Sequence, residues 1–306
     1  MSTRTVLVFG ASGFLGSRVV KALAADPRAG EVIRVGRRTR DQGTGRWFRH
    51  DLVEGDVDDL ARILREAAPD VVVNCAGRLS GGASQLVEAN ALATARLIDA
   101  IATRTPSARL VTLGSAAEYG VVPVGHPVSE DHPVRPVSGY GLTRLASTQL
   151  VQVAVDAGHL DGVALRVFNP IGPGIAQENL LGRAVTRLRE AVASGADHIV
   201  LGPLDAHRDF VDVRDVALAV ATASLADQVD EPVLNVGSGT AVLAREVVAL
   251  LARTAGFTGA VRETAPAPSR SAGVDWIAAD LSRVGRCLGW APRYDLEASV
   301  RACWEQ

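Results

Sequence analysis

Three side chains near the middle of the sequence have the chemistry to move a proton at a carbonyl. Ser115 lies in Leu113-Gly114-Ser115-Ala116-Ala117-Glu118-Tyr119-Gly120, and Tyr140 in Ser138-Gly139-Tyr140-Gly141-Leu142-Thr143-Arg144. Tyr140 and Arg144 are four residues apart, so in a helix they share one face. A phenol gives its proton to a carbonyl under reduction best when a nearby cation lowers its pKa. A hydroxyl such as Ser115 holds the same oxygen and stabilises the developing alkoxide. Taken alone, most tyrosine–arginine pairs of this kind are core packing. The surrounding elements must decide.

A second cluster has the chemistry to hold a dinucleotide. Gly10-Ala11-Ser12-Gly13-Phe14-Leu15-Gly16 follows the apolar run Thr5–Phe9 and opens a helical pattern over Phe14–Ala25. In such a turn Gly10 allows the tight bend, Gly13 lets backbone approach a pyrophosphate, and Gly16 permits close helix–strand packing. Ser12, Phe14 and Leu15 complete the turn, where helix N-terminal N–H groups meet an anion. The alternative is a purely structural turn. About 20 residues on, an NAD site presents an acidic residue to the ribose. This chain has Gly36-Arg37-Arg38 there. Arginines suit a 2′-phosphate through charge-assisted bonds, so the expected cofactor is NADP(H). The alternative is a pair of solvated arginines. Asp51 and Leu52 are placed to meet the adenine, with an exposed loop Asp as the plain alternative. Cys75, Ala76 and Gly77 end a strand where backbone must pass close to the cofactor.

The elements that position these groups alternate. Strand-like runs at Thr5–Phe9, Glu31–Val35, Trp47–Phe48, Asp70–Asn74, Arg109–Leu113 and Val163–Val167 are separated by helical patterns. The helices are expected over Phe14–Ala25, Asp58–Ala67, Ser84–Thr103 and Ser138–Ala157, and Val121–Pro136, with four prolines, reads as a loop. Continuous apolar strands in β-α-β order predict an α/β fold, a doubly wound Rossmann-type parallel sheet with helices on both faces. A smaller interleaved C-terminal substrate lobe completes the expectation. Residues 1–168 form the dinucleotide-binding domain, 209–236 return to it, and 169–208 with 237–306 form the lobe.

Composition narrows the function classes. The 306 residues are 47% hydrophobic with a formal charge of −2, so nothing in the charge favours nucleic acid or an anionic membrane. No apolar run reaches the roughly 18 residues of a membrane span, and Met1 to Arg4 lead straight into a strand-like run, so no signal peptide is expected. Cys75, Cys287 and Cys303 are widely spaced, and the six histidines lack ligand spacing. A reduced, cytoplasmic protein without a metal site is expected. Lys21 is the only lysine among 32 basic residues.

These motifs together resemble the extended short-chain dehydrogenase/reductases, the NAD-dependent epimerase/dehydratase family. The likeness runs nearly end to end. The glycine turn looks like the family's, and Ser115 and Tyr140 fall on its catalytic Ser/Thr and Tyr. Arg208-Asp209-Phe210-Val211-Asp212-Val213-Arg214-Asp215 resembles the family's arginine-bearing segment. Asp280-Leu281-Ser282 with Leu288-Gly289-Trp290-Ala291-Pro292 resembles its C-terminal signature. The resemblance implies a nucleotide-sugar substrate whose diphosphate meets Asn179 and Arg208, with Asn169 also at the substrate. The plain alternatives are an N-cap role for Asn179 and an ion pair of Arg208 with Asp209 or Asp212. A homodimer is expected by the same analogy.

Within the family, dehydratases carry an Asp-Glu pair after the catalytic residue, and Ala116-Ala117 stand there in this chain. Epimerases usually have an acidic residue where Arg37 and Arg38 stand. Val167 to Gly174 and the arginine-bearing segment look most like reductases of GDP-4-keto-6-deoxymannose. An NADPH-dependent ketoreductase on a nucleotide-linked 4-keto-6-deoxyhexose is therefore expected. A reductase of another ketone (aminoglycoside or polyketide), an epimerase, and a non-catalytic NADP-binding protein are the alternatives. One departure is marked: the family has Tyr-x-x-x-Lys, and this chain has Arg144. The family's lysine bonds the nicotinamide ribose, so by the resemblance Tyr140 and Arg144 are also expected at the cofactor; arginine keeps the charge and the donors but not the geometry. Glu118 is expected to support its loop, Asn90 to be structural, and His207 to be an exposed loop residue.

Overall fold

The computed structural model describes residues 3–38, 45–266 and 273–305. The strands are β1 (Arg4–Phe9), β2 (Ala29–Gly36), β3 (Trp47–Arg49), β4 (Val71–Asn74), β5 (Arg109–Ser115), β6 (Gly162–Val167), β7 (Asn169–Ile171), β8 (His198–Val200), β9 (His207–Asp212), β10 (Val233–Val236), β11 (Ala241–Leu243), β12 (Ala260–Arg262) and β13 (Trp276–Ile277). The helices are α1 (Phe14–Ala24), α2 (Val57–Ala67), α3 (Ala83–Leu86), α4 (Ala93–Arg104), α5 (Gly139–Asp156), α6 (Leu180–Ser194), α7 (Val213–Leu225), α8 (Ala244–Thr254), α9 (Ser282–Leu288) and α10 (Leu296–Trp304).

Seven strands form one sheet in the order β3-β2-β1-β4-β5-β6-β10, every neighbouring pair parallel. Right-handed crossovers with helices on both faces yield this doubly wound order. The side-chain alternation of β1 shows why. Val6 and Val8 face one core with Val19 and Leu23 of α1 and Val216 and Val220 of α7. Leu7 and Phe9 face another, with Leu60 and Ile63 of α2, Leu97 of α4 and Val151 of α5. Both faces are dry, so β1 and β4 need no polar side and read as continuous apolar runs. The order reverses between β1 and β4, which opens a crevice at their carboxyl ends.

Beyond β6 the chain builds smaller sheets. β9 pairs with β7, β11 and β13, and β8 pairs with β12. A separate core there joins Leu181 and Leu188 of α6, Val247 and Leu251 of α8, and Val300 of α10. After β9, α7 packs on α1, and β10 joins the large sheet beside β6.

One expected helix differs. The pattern over Ser84–Thr103 is continuous in sequence, but Val87–Leu92 form a π-helical turn between α3 and α4. The turn places Asn90, 1% exposed, where its amide bonds Arg78's N–H and C=O and the Thr143 hydroxyl. A buried amide must find such partners, and the local widening supplies the reach. The Val121–Pro136 stretch carries only isolated bridges, Gly120 to Arg135 and Val128 to Ala279. No described helix is long and apolar enough to cross a membrane.

Candidate active site

The glycine turn is seated on the end of β4. Gly10 has φ +70°, and a Cβ there would lie 2.8 Å from the Ala76 nitrogen and 2.9 Å from the Cys75 carbonyl carbon. A Cβ on Gly16 would collide with the Gly10 carbonyl oxygen. Any side chain at either position would force the turn off the sheet. Gly13 is the extended N-cap of α1, so the N–H groups of Phe14, Leu15 and Gly16 have no acceptor inside the helix. Ser12 and Gly13 are exposed beside them. This is a cradle shaped for a phosphate, and the residues present fit a dinucleotide. Gly16→Val is expected to weaken dinucleotide binding about tenfold or more, from about 1–3 kcal/mol of overpacking strain. Fluorescence titration with NADPH checks it, with circular dichroism confirming that the variant folds.

β2 delivers Arg37 and Arg38, both exposed, to the same edge. Asp51 turns inward on itself: its Oδ1 accepts the Val53 N–H at 2.9 Å. Leu52 is buried, and its carbonyl accepts from Arg96 at 3.0 Å. At the end of β4 the Ala76 N–H donates to Asn74 Oδ1 at 3.0 Å. Burial pushes the Cys75 thiol up to about 12 against the opposing charge of Arg144, so it is no nucleophile.

Ser115 is the last residue of β5, which runs two residues beyond the expected strand. Its N–H donates to Glu118 Oε1 at 2.7 Å, and its Oγ accepts the Ala117 N–H at 3.2 Å. The hydroxyl proton stays available to an incoming oxygen. Ser138 caps α5 by accepting the Gly141 N–H at 3.1 Å. A Cβ on Gly141 would collide with the Ala117 carbonyl, so the first turn of α5 rests directly on the turn after Ser115. That contact brings Tyr140 and Ser115 to one end of the sheet.

Arg144 sits one turn further into α5 and is 8% exposed. Its Nη1 donates to the Leu113 carbonyl at 3.1 Å, and its guanidinium carbon lies 5.6 Å from the centre of the Tyr140 ring. That is within cation–π range. A Cβ on Gly77 would strike Nη2, so glycine at that position leaves the room the guanidinium occupies. The Arg144 Nε is buried and has no hydrogen-bond partner among the described residues. A buried donor of this kind calls for a partner.

The residues expected at the substrate lie on the smaller sheets. Asn169 opens β7, and its Nδ2 donates to the Asp209 carbonyl at 2.9 Å, joining β7 to β9. Asn179 is the N-cap residue of α6. Arg208 makes no ion pair with Asp209 or Asp212. Its guanidinium donates to the His207 and Val274 carbonyls, and burial lowers its pKa, with Asp275 opposing. Both acids are committed elsewhere. Asp209 accepts N–H groups from Ser238, Gly239 and Ala279, and Asp212 caps α7 and binds Arg214 at 2.7 Å. His207 is exposed but opens β9 rather than lying in a loop. Among the described residues no group of His, Cys, Asp and Glu is arranged to hold a metal ion.

Residues 6–237 match the NAD dependent epimerase/dehydratase family. The chain belongs to that family. It is 39% identical over 98% of its length to a dTDP-6-deoxy-L-talose 4-dehydrogenase (NAD(P)(+)) of Kitasatospora kifunensis, covering 94% of that protein. It is 28% identical to the GDP-6-deoxy-D-mannose reductase of Pseudomonas aeruginosa, over 99% of this chain and 98% of the relative. Among solved structures, MoeE5 in complex with UDP-glucuronic acid and NAD superposes with a TM-score of 0.83 at 29% identity, covering 98% and 97% of the two chains. The family groups NAD-dependent enzymes, and the two curated relatives named above act on nucleotide-linked deoxysugars.

Glu118 supports the Ser115 turn, as expected from its place in the sequence, but sequence reasoning did not find the rest of the buried network behind Ser115. Glu118 is fully buried and binds Arg166 Nε at 2.8 Å, the Thr148 hydroxyl at 3.0 Å and the Ser115 N–H. Arg166 also donates to the Tyr119 hydroxyl at 3.2 Å, which in turn donates to Asn235 at 2.7 Å. Burial pushes the Tyr119 phenol up to about 12, against the nearby Arg166, so it stays a neutral donor. A signal was present: an arginine inside the apolar run Gly162–Val167 demands a buried partner.

Proposed function

We propose that this chain is an NADP(H)-dependent oxidoreductase acting at the ring ketone of a nucleotide-linked 4-keto-6-deoxyhexose. The observation that carries the reading is the Tyr140–Arg144 pair, packed against Gly77 and the end of β5 beside Ser115. Gly10 to Gly16, Arg37, Arg38, Asp51, Leu52 and Cys75 to Gly77 are the residues that would hold the dinucleotide. When bound, the nicotinamide supplies or accepts the hydride. Tyr140 gives its hydroxyl proton to the ketone oxygen in reduction and takes it back in oxidation. Ser115 Oγ holds that oxygen and stabilises its charge. Arg144 sets its positive charge beside the Tyr140 ring and presents donors to the ribose. Asn169, Asn179 and Arg208 hold the nucleotide sugar. Ala116 and Ala117 carry no proton, so water elimination has no acid–base pair. The Kitasatospora relative supports a dTDP sugar and the 4-position as the first to try.

The test follows nicotinamide absorbance with dTDP- and GDP-4-keto-6-deoxyhexoses. Consumption of NADPH faster than NADH, dependent on the sugar, is the expected result. No consumption with dinucleotide binding intact would sink the reading. The double variant Arg37→Ala/Arg38→Ala is expected to raise the KM for NADPH about tenfold to a hundredfold, the loss of one charge-assisted contact worth about 1.5–3 kcal/mol. The KM for NADH should stay unchanged. Equal rises for both would remove the 2′-phosphate role.

A further inference from the structure

A cavity of about 590 Å³ lies outside the crevice, between α1, α7 and the C-terminal segment. Three cations line it: Arg18 and Lys21 from α1, and Arg214 from α7. Glu305 is the one acidic residue on its wall. None of these belongs to the dinucleotide turn, the Ser115–Tyr140–Arg144 cluster or the expected substrate residues. Lys21 is exposed and has no carboxylate within ion-pair distance among the described residues.

Arg214 is held rigidly. Its Nε and Nη2 donate to Asp212 at 2.9 and 2.7 Å, and Asp212 is itself held by the Ser299 hydroxyl at 2.7 Å. Its guanidinium carbon lies 3.6 Å from the centre of the Tyr294 ring, and Tyr294 is 39% exposed. Nη1 is left with donors to spare. Such an arginine offers hydrogen bonds without loss of side-chain freedom on binding. Leu218 and the Tyr294 ring supply an apolar shelf beside the charges. Charge on one side and a flat apolar surface on the other match a ligand with phosphate at one end and an aromatic ring at the other. The volume is that of a small-molecule site.

We infer that this cavity is a second binding site, for a nucleoside phosphate, distinct from the crevice. Its phosphate meets Lys21, Arg18 and Arg214, and its base lies on the Leu218–Tyr294 shelf. Arg18 is one helical turn from the glycine turn, so occupancy acts on the same helix that cradles the dinucleotide.

The single lysine makes the test direct. Amines are reductively methylated and Lys21 is read by peptide mass spectrometry, with the α-amine as internal reference. The protein is saturated with NADP, and the probes are dTDP, pyrophosphate and thymidine. At about ten times its dissociation constant, dTDP leaves roughly a tenth of the sites free, so Lys21 labelling falls about tenfold while the α-amine is unchanged. Protection should persist in Arg208→Ala and weaken in Arg214→Ala and in Arg18→Gln. Arg18 is half-buried, donates from Nη2 to the Pro173 carbonyl at 3.2 Å and makes no ion pair among the described residues, so its variant reads the site even if Arg214→Ala does not fold. No protection overturns the inference. So does protection lost in Arg208→Ala but kept in Arg18→Gln, which would place the nucleotide in the crevice. Equal protection by pyrophosphate would remove the nucleoside from the assignment.

Discussion

Tyr140→Phe is expected to lower kcat by about 10²–10⁴-fold, the usual contribution of a positioned proton donor. Dinucleotide affinity should stay near wild type, because the glycine turn and Arg37 and Arg38 do not involve the phenol. The variant loses one oxygen, while the ring that faces Arg144 at 5.6 Å remains. Packing and fold should therefore survive, and the loss should fall on kcat rather than on KM. Steady-state kinetics with NADPH and a keto sugar, together with NADPH titration, separate the two. Unchanged kcat would mean that another group moves the proton. Arg144→Lys is the companion variant. If the charge alone matters, activity is retained; if the planar donors matter, it falls with Tyr140 intact.

Glu118→Ala should produce the largest effect on stability. Glu118 is fully buried and its partner Arg166 is 4% exposed. Removing one partner of such a pair leaves an uncompensated buried charge and costs about 3–5 kcal/mol. That is a large part of the ~5–15 kcal/mol by which domains are stable. The same carboxylate accepts the Ser115 N–H at 2.7 Å, so the catalytic strand end loosens as well. Urea denaturation of Glu118→Ala and of the double variant Glu118→Ala/Arg166→Met checks the assignment. The double variant removes both charges and should recover a substantial share of the loss. Equal destabilisation in the two would show that the charge on Arg166 is not what costs the energy.

The sequence by itself determined the α/β order, the glycine turn, the family and the positions of Ser115, Tyr140 and Arg144. These were legible because each rests on local rules. Apolar runs between helical patterns force a parallel sheet, and the spacing of Gly10, Gly13 and Gly16 answers steric demands within seven residues. Only the tertiary structure decided how the groups meet. Arg144 reaches Leu113 and Tyr140 because Gly77, far off in the chain, leaves room for its guanidinium. Arg208 binds backbone carbonyls because both neighbouring acids are taken by α7 and by the segment after β10. Glu118 finds Arg166 across the β5–β6 pair, 48 residues away. Asn90 sits in a π-helical turn that brings its buried amide to Arg78 and Thr143. Hydrogen bonds and ion pairs are short-ranged, so their partners are set by which strands the fold makes neighbours, and no spacing along the chain records that.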